Sequence, residues 1–276
     1  MPFLTEPEPE RGSNLPVMPG ISRIIANNPG PMTYFGTNTY LIDTPEGLAV
    51  LDPGPEGHPE HVEAILRHTG GKIALILISH THHDHVGAAP ALQAATGAPT
   101  VGFRSSGLDT FEADIKLDHG GSVAGMTVLH TPGHASDHLC YALPLNGERV
   151  LFSADHVMSW STSIVSPPGG DMRAYFSSLS LLLERDDDVY LPGHGPPLRD
   201  PRALVREMLT HRMIREQAIA RKLTDGAFDT YTIMDALYSQ LNPRLRRAAE
   251  RNVLAHLLKM EAEGKAIRDG ELWRAA

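Results

Sequence analysis

Apolar and polar positions divide the chain into a front part of short strands and helices and a rear part of long helices. Residues 40–52 form two short apolar runs around a Pro-Glu-Gly turn, which predicts a β-hairpin. Next, Val62, Ile65 and Leu66 recur at helical spacing ahead of Gly70-Gly71, which predicts an amphipathic helix with a glycine C-cap. Residues 73–78 are an unbroken apolar run, the pattern of a strand covered on both faces. A small-residue helix is expected over 88–96, and short strands near Thr100 and over 126–129, 139–142 and 150–152. From Pro201 the pattern turns helical, at 202–223, 232–241 and 251–264. Mixed short strands with flanking helices point to a layered α/β sandwich over residues 1–199 and a small, mainly helical unit over 200–276. No GxGxxG turn supports a dinucleotide site.

With 276 residues, 41% of them hydrophobic and 21% charged, the chain can bury a sizeable core and is not a disordered polymer. Its single cysteine, Cys140, excludes an internal disulfide framework and a cysteine-based zinc site, so a metal has to be held by His and carboxylates. Flanked by Leu139 and Tyr141, that cysteine reads as a core residue. The first residues are acidic and Pro-rich with no leader pattern, and no apolar run of 18 residues occurs. A cytoplasmic protein without a membrane span is expected. Residues 1–199 carry 10 Lys and Arg against 22 Asp and Glu, and the remainder 14 against 11. The acidic front part would repel a polyanion, which makes nucleic acid the less favoured partner.

The apolar run 73–78 leads into Ser79-His80-Thr81-His82-His83-Asp84-His85. Strand alternation puts His80 and His82 on one side, while Asp84 and His85 sit where the chain turns and can face a second ion. Imidazole suits zinc and related metals, and a carboxylate completes a site without a thiolate. Such a cluster has little structural use without an ion. Three more candidates stand at turns behind predicted strands: His134 in Thr-Pro-Gly-His, Asp155 in Phe-Ser-Ala-Asp-His, and His194 in Leu-Pro-Gly-His. Strand ends of a layered α/β fold converge on one edge, so these residues can meet. His58, His61, His68, His119 and His211 read as solvated or capping side chains, and no ligand role is expected for His83 or His156.

The ordered set His80-x-His82-x-Asp84-His85, His134, Asp155 and His194 resembles the metal-binding signature of the metallo-β-lactamase superfamily. The resemblance implies a four-layer αββα sandwich holding two divalent metal ions, zinc first, with manganese or iron as alternatives. It implies that His80, His82 and His134 hold one ion, that Asp84, His85 and His194 hold the other, and that Asp155 bridges. Asp52 matches an early strand-end aspartate that orients the ligands. Ala154 departs from the glycine that commonly precedes the bridging aspartate. A hydroxide shared by the two ions would be the nucleophile, with Asp84 or His138 moving the proton to the leaving group.

Segments 28–41 and 253–260 resemble the β-lactamase-like-protein-2 group, whose members carry a small winged-helix-like domain behind the catalytic one. Relatives there include nucleases of single-stranded RNA and thioesterases acting on carrier-linked polyketides. Without a cysteine near the second site, β-lactam cleavage is not expected as the main activity. The Pro/Gly-rich loop 160–171 would overhang the metals and present Trp160, Ser161 or Thr162 to substrate. Acids and bases interleave in the tail, as at Arg206-Glu207 and Arg215-Glu216, which marks a solvated face on a structural or homodimer-forming lid. The expected function is hydrolysis of an ester or thioester of a small or carrier-linked substrate. A single-stranded RNA endonuclease and a non-hydrolytic metal-binding or redox protein are the competing readings.

Overall fold

The computed structural model describes residues 3–276. β1 (Leu15–Met18) and β2 (Ile21–Ile25) lead antiparallel into the expected hairpin, β3 (Asn38–Thr44) and β4 (Gly47–Leu51). Helix α1 (Pro59–Thr69) begins on a proline and ends at Gly70, whose φ of 60° supplies the left-handed C-cap. It crosses over to β5 (Leu75–Leu77), which pairs parallel with β4. After the single turn α2 (His83–Val86) and helix α3 (Ala89–Thr96) come β6 (Thr100–Phe103) and β7 (Ile115–Leu117), both parallel additions. The first sheet therefore runs in chain order from β1 to β7.

The second sheet contains β8 (Ser122–Val123), β9 (Met126–His130), β10 (Leu139–Leu145) and β11 (Glu148–Ala154). Helix α4 (Met172–Leu183), capped by the Asp171 carboxylate accepting from Ala174 N, leads to β12 (Val189–Pro192) and β13 (Leu198–Arg199). Strands β9 and β11 are each antiparallel to β10, and β12 is parallel to β11, so β9, β11 and β12 all point the same way.

Burial produces four layers. Between the sheets, Tyr40, Leu51, Leu77 and Val101 of the first meet Val128, Tyr141, Phe152 and Leu191 of the second. Outside the first sheet, Leu41, Val50 and Ile76 pack on Ala64 and Ile65 of α1 and Leu92 of α3. Ile76 thus faces outward and Leu77 inward, which is why the run 73–78 carries no polar residue. Outside the second sheet, Leu129, Leu151 and Tyr190 pack on α4 and on Leu204, Val205 and Met208 of α5 (Arg202–Leu223).

The far end of α5 joins a separate core. Its Ile219 and Leu223 pack with Ile233 and Met234 of α6 (Thr230–Leu237) and with Val253, Leu257 and Met260 of α7 (Arg246–Ala262). That unit adds a hairpin, β14 (Ala266–Asp269) and β15 (Leu272–Ala275), whose Trp273 is fully buried. Helix α5 is therefore shared by both cores. Among the described residues no helix is long and apolar enough to cross a membrane.

Candidate metal centre

The parallel β4 and β5 of the first sheet and the like-directed β9, β11 and β12 of the second end beside one another, and each is followed within a few residues by an ionisable side chain. These are Asp52, the His80–His85 segment, His134, Asp155 and His194. Left-handed backbone occurs at two of these strand ends: φ is 53° at Asp52, a residue type that tolerates it, and 41° at Ala154, just before Asp155. Ala154 keeps the backbone shape of a glycine position, so Asp155 is delivered to the cluster despite the extra methyl group.

The seven side chains singled out in the sequence come together here. His82 Nδ1 lies 3.0 Å from His80 Nε2 and 2.9 Å from His134 Nε2. His194 Nε2 lies 3.3 Å from Asp84 Oδ2. Asp155 faces both groups: its Oδ2 is 3.5 Å from His134 Nε2 and 3.5 Å from His194 Nε2, and its Oδ1 is 3.5 Å from His85 Nε2. Three sets of ligand atoms, His80/His82/His134, His80/His85/Asp155 and Asp84/His85/His194, each fall within 4.8 Å.

The far side of four of the five imidazoles is tied off. His134 Nδ1 donates to Ile164 O at 2.7 Å, His194 Nδ1 to Gly36 O at 3.2 Å and His85 Nδ1 to Asp52 Oδ2 at 2.8 Å. His80 Nδ1 donates to Ser79 Oγ at 2.9 Å, and that hydroxyl donates to Asp52 Oδ2 at 2.6 Å. These bonds turn the other ring nitrogen of each toward the centre with its lone pair free. The buried His85 Nε2, His194 Nε2 and Asp155 Oδ1 have no hydrogen-bond partner. Buried ring nitrogens lying 3.3–3.5 Å from carboxylate oxygens without a well-formed hydrogen bond fit divalent cations.

Electrostatics separates the two groups. Burial, reinforced by neighbouring imidazoles, holds His80 well below the ordinary histidine range, and burial with His134 brings His82 down to about 3. For His85 and His194 burial also works downward, but Asp155 and Asp84 outweigh it. His194 rises to about 9 and His85 also rises well above its usual value. The same contacts hold the carboxyls of Asp84 and Asp155 well below the usual carboxylate range, although burial opposes this.

A cavity of about 660 Å³ opens over the cluster. His82, Asp84, His134 and Asp155 form its floor, and Met32, Pro55, Met158 and Ile164 give it apolar walls. Its described lining contains neither Arg nor Lys.

Three expectations need correcting. His138 does not reach the cavity; it is fully buried, with Nδ1 on Thr131 Oγ1 at 2.9 Å, behind His80. Trp160, Ser161 and Thr162 are absent from the lining as well: Trp160 packs over Gly195 and against Tyr34, and the loop reaches the cavity only at Ile164 and Ser166. His61 is not solvated; its ring is buried, bonds Thr39 Oγ1 at 2.8 Å, and is pushed down to about 4 by burial. Cys140 is a core residue whose thiol burial pushes up to about 12.

Other supporting residues carry no motif in the sequence. Asp137 accepts from Thr81 N, Thr81 Oγ1 and Gly107 N, pinning the backbone between His80 and His82. Asn38 Nδ2 donates to Pro192 O and Gly195 O, both at 2.9 Å, fixing the turn that carries His194.

Comparison with known proteins gives two family matches: Metallo-beta-lactamase superfamily over residues 32–194, and Beta-lactamase associated winged helix domain over residues 230–273. A Beta-lactamase-like protein 2 homolog of Drosophila melanogaster is 30% identical, covering 89% of this chain and 89% of its own. An Atrochrysone carboxyl ACP thioesterase of Aspergillus chevalieri is 31% identical over 78% of this chain and 72% of its own. The crystal structure of a metallo-beta-lactamase family protein from Thermus thermophilus superposes with a TM-score of 0.78 at 22% identity, covering 94% of this chain and 99% of that one.

Proposed function

The chain belongs to the metallo-beta-lactamase superfamily and is a metal-dependent hydrolase with an appended winged-helix unit, and from that premise we propose that it cleaves an acyl ester or thioester of a small or carrier-linked substrate. The observation that carries this reading is the cavity over the ligands. Walls of Met32, Pro55, Met158 and Ile164 suit an acyl chain, whereas a polynucleotide's phosphates beyond the metal centre would call for Arg or Lys, which the described lining lacks. The likeness to a thioesterase acting on acyl carrier protein points the same way.

In this reading His80, His82 and His134 hold one cation, Asp84, His85 and His194 a second, and Asp155 faces both. Two divalent ions, zinc before manganese or iron for such nitrogen and oxygen donors, would polarise the scissile carbonyl and acidify a water. The chain's own residues do the rest. Asp52, through Ser79 and directly, holds the His80 and His85 rings in position. Asp84 is the ligand carboxylate most open to the cavity, and the oxygen it does not give to the cation would move a proton to the leaving-group atom. The apolar walls exclude water from the acyl side. We retain the division into a catalytic unit, 1–199, and an appended unit, 200–276, as part of this proposal.

The test is a panel of acyl esters and acyl thioesters of graded chain length, set beside single-stranded RNA. Chelator-sensitive thioester or ester turnover that rises with acyl length is the expected result. RNA cleavage lost in Asp84→Ala, with no acyl turnover, would overturn the proposal. Single-stranded RNA is kept as the second reading on one observation. A neighbouring cavity of about 490 Å³, lined by Thr230, Arg247, Glu250, Arg251 and Leu254, shares Ser166 with the first and could hold a phosphate.

Acidification should separate the two ions. Because His194 rises to about 9 and His85 also rises, a cation in their group has to displace protons at any pH below that value. Its affinity therefore falls by about tenfold per pH unit for each displaced proton. His80 and His82 sit below the ordinary range and present lone pairs until far more acidic conditions. Metal content measured after dialysis from pH 9 toward pH 5 is expected to drop first to about one ion per chain, with the trihistidine group still loaded. Simultaneous release of both ions would contradict this.

A further inference from the structure

Arg212 on α5 is 3% exposed, and no carboxylate pairs with it among the described residues. A buried guanidinium without a counter-ion is costly, so what it holds is informative. Its Nη2 donates to Ser163 O and its Nη1 to Asn252 Oδ1 at 3.2 Å, with the guanidinium carbon 5.2 Å above the Tyr175 ring. Asn252, on α7, accepts from Val165 N at 3.0 Å through the same Oδ1. Between these two anchored residues, Ile164 O accepts the Nδ1 proton of His134, and Ser163 Oγ donates to the Asp155 carbonyl. One residue further on, Arg251 Nε donates to Ser166 Oγ at 3.0 Å.

Three consecutive loop residues thus connect the rear helices to two metal ligands. We propose that Arg212 and Asn252 are positioning residues for the metal centre: through Ser163, Ile164 and Val165 they set where His134 Nε2 and the Asp155 carboxylate point. On this account the rear unit is an integral part of the site. The inference rests on the reading of the cluster as a metal site, but not on the identity of the substrate.

The test uses the full chain with Arg212→Met, Arg212→Lys, Asn252→Ala and Asn252→Asp. Thermal unfolding of the metal-free proteins is measured beside zinc affinity from competition with a chromophoric chelator. The visible spectrum of each cobalt(II)-loaded variant reports ligand geometry. Arg212→Met is expected to weaken zinc binding 10–100-fold, the range for partners that orient metal ligands. It should also alter the cobalt spectrum and lower kcat more than it changes KM. Arg212→Lys should recover part of the loss, and Asn252→Ala should shift affinity the same way by a smaller factor.

Variants that melt earlier yet bind zinc and shape the cobalt spectrum like the parent would overturn the proposal, since that is the outcome of a purely structural role. Should Arg212→Met fail to fold, unchanged zinc affinity in Asn252→Ala suffices to overturn it. A parent chain that binds no divalent metal would overturn the underlying reading as well. Failure of the acyl panel alone, with the zinc shifts present, leaves the inference supported.

Discussion

Asp155→Ala is expected to lower kcat/KM by more than about 100-fold and to reduce bound metal from two ions to about one. Asp155 is the side chain on which both ligand groups meet, with His134, His85 and His194 nitrogens each 3.5 Å from one of its oxygens. Residues that only orient ligands are worth 10–100-fold, so loss of a shared ligand should exceed that, or about 2.7 kcal/mol in the transition state. The carboxylate also keeps His194 at about 9 and His85 high, so both imidazoles should titrate closer to their usual range without it. Asp155→Asn keeps the shape and removes the charge, and an intermediate defect is expected. Metal analysis with kcat/KM on the same preparations decides the matter: two retained ions with activity within tenfold of the parent would show that Asp155 is not shared.

The clustering of the candidate ligands was legible in the sequence because each belongs to a local pattern with a chemical meaning. His80 to His85 crowd one strand end, and His134, Asp155 and His194 follow strands at turns, which a layered fold gathers on one edge. Their proposed division between two ions rests on the family resemblance. What lay beyond reach depends on contacts across long stretches of chain. His138 stands one residue before β10, close to the cluster in sequence, but its ring turns toward Thr131 and away from the cavity. Trp160 lies five residues from Asp155 and is drawn over the bare backbone of Gly195. His61 sits on the first turn of α1, where a polar side chain reads as solvated, yet it reaches Thr39 on β3.

Elements escaped for related reasons. In β1 and β2 the residues Pro16, Ser22 and Arg23 interrupt the apolar alternation, and Arg23 is buried with Asn38 Oδ1, Gly195 O and the Glu6 carboxylate accepting its protons. The hairpin β14–β15 has charged residues on most of its exposed face and shows a single buried aromatic, Trp273. Asp137, Arg212 and Asn252 act through bonds spanning 30 residues or more, and no spacing rule reports such pairs.

Gly193→Ala should damage chemistry more than stability, although it adds only one methyl group. Gly193 does not occupy the left-handed region, so alanine meets no backbone penalty there. A Cβ at this position would stand 2.5 Å from Asp155 Oδ1 and 2.7 Å from His85 Cε1. The backbone cannot retreat, because Gly193 N donates to Ala154 O at 3.0 Å and Gly193 O accepts from Asn38 N at 2.7 Å. The carboxylate and the imidazole therefore have to give way by several tenths of an ångström, beyond the roughly 0.2 Å tolerance of a metal site. A displacement approaching 1 Å costs on the order of 100-fold in rate, while overpacking costs about 1–3 kcal/mol in stability. Gly195→Ala provides the contrast: φ is 82° there and the added Cβ would meet Trp160 at 2.4 Å, away from the ligand atoms. That variant should lose more stability and less kcat at equal metal loading. Equal kcat in Gly193→Ala and the parent, with two ions bound, would show that the contact does not constrain the ligands.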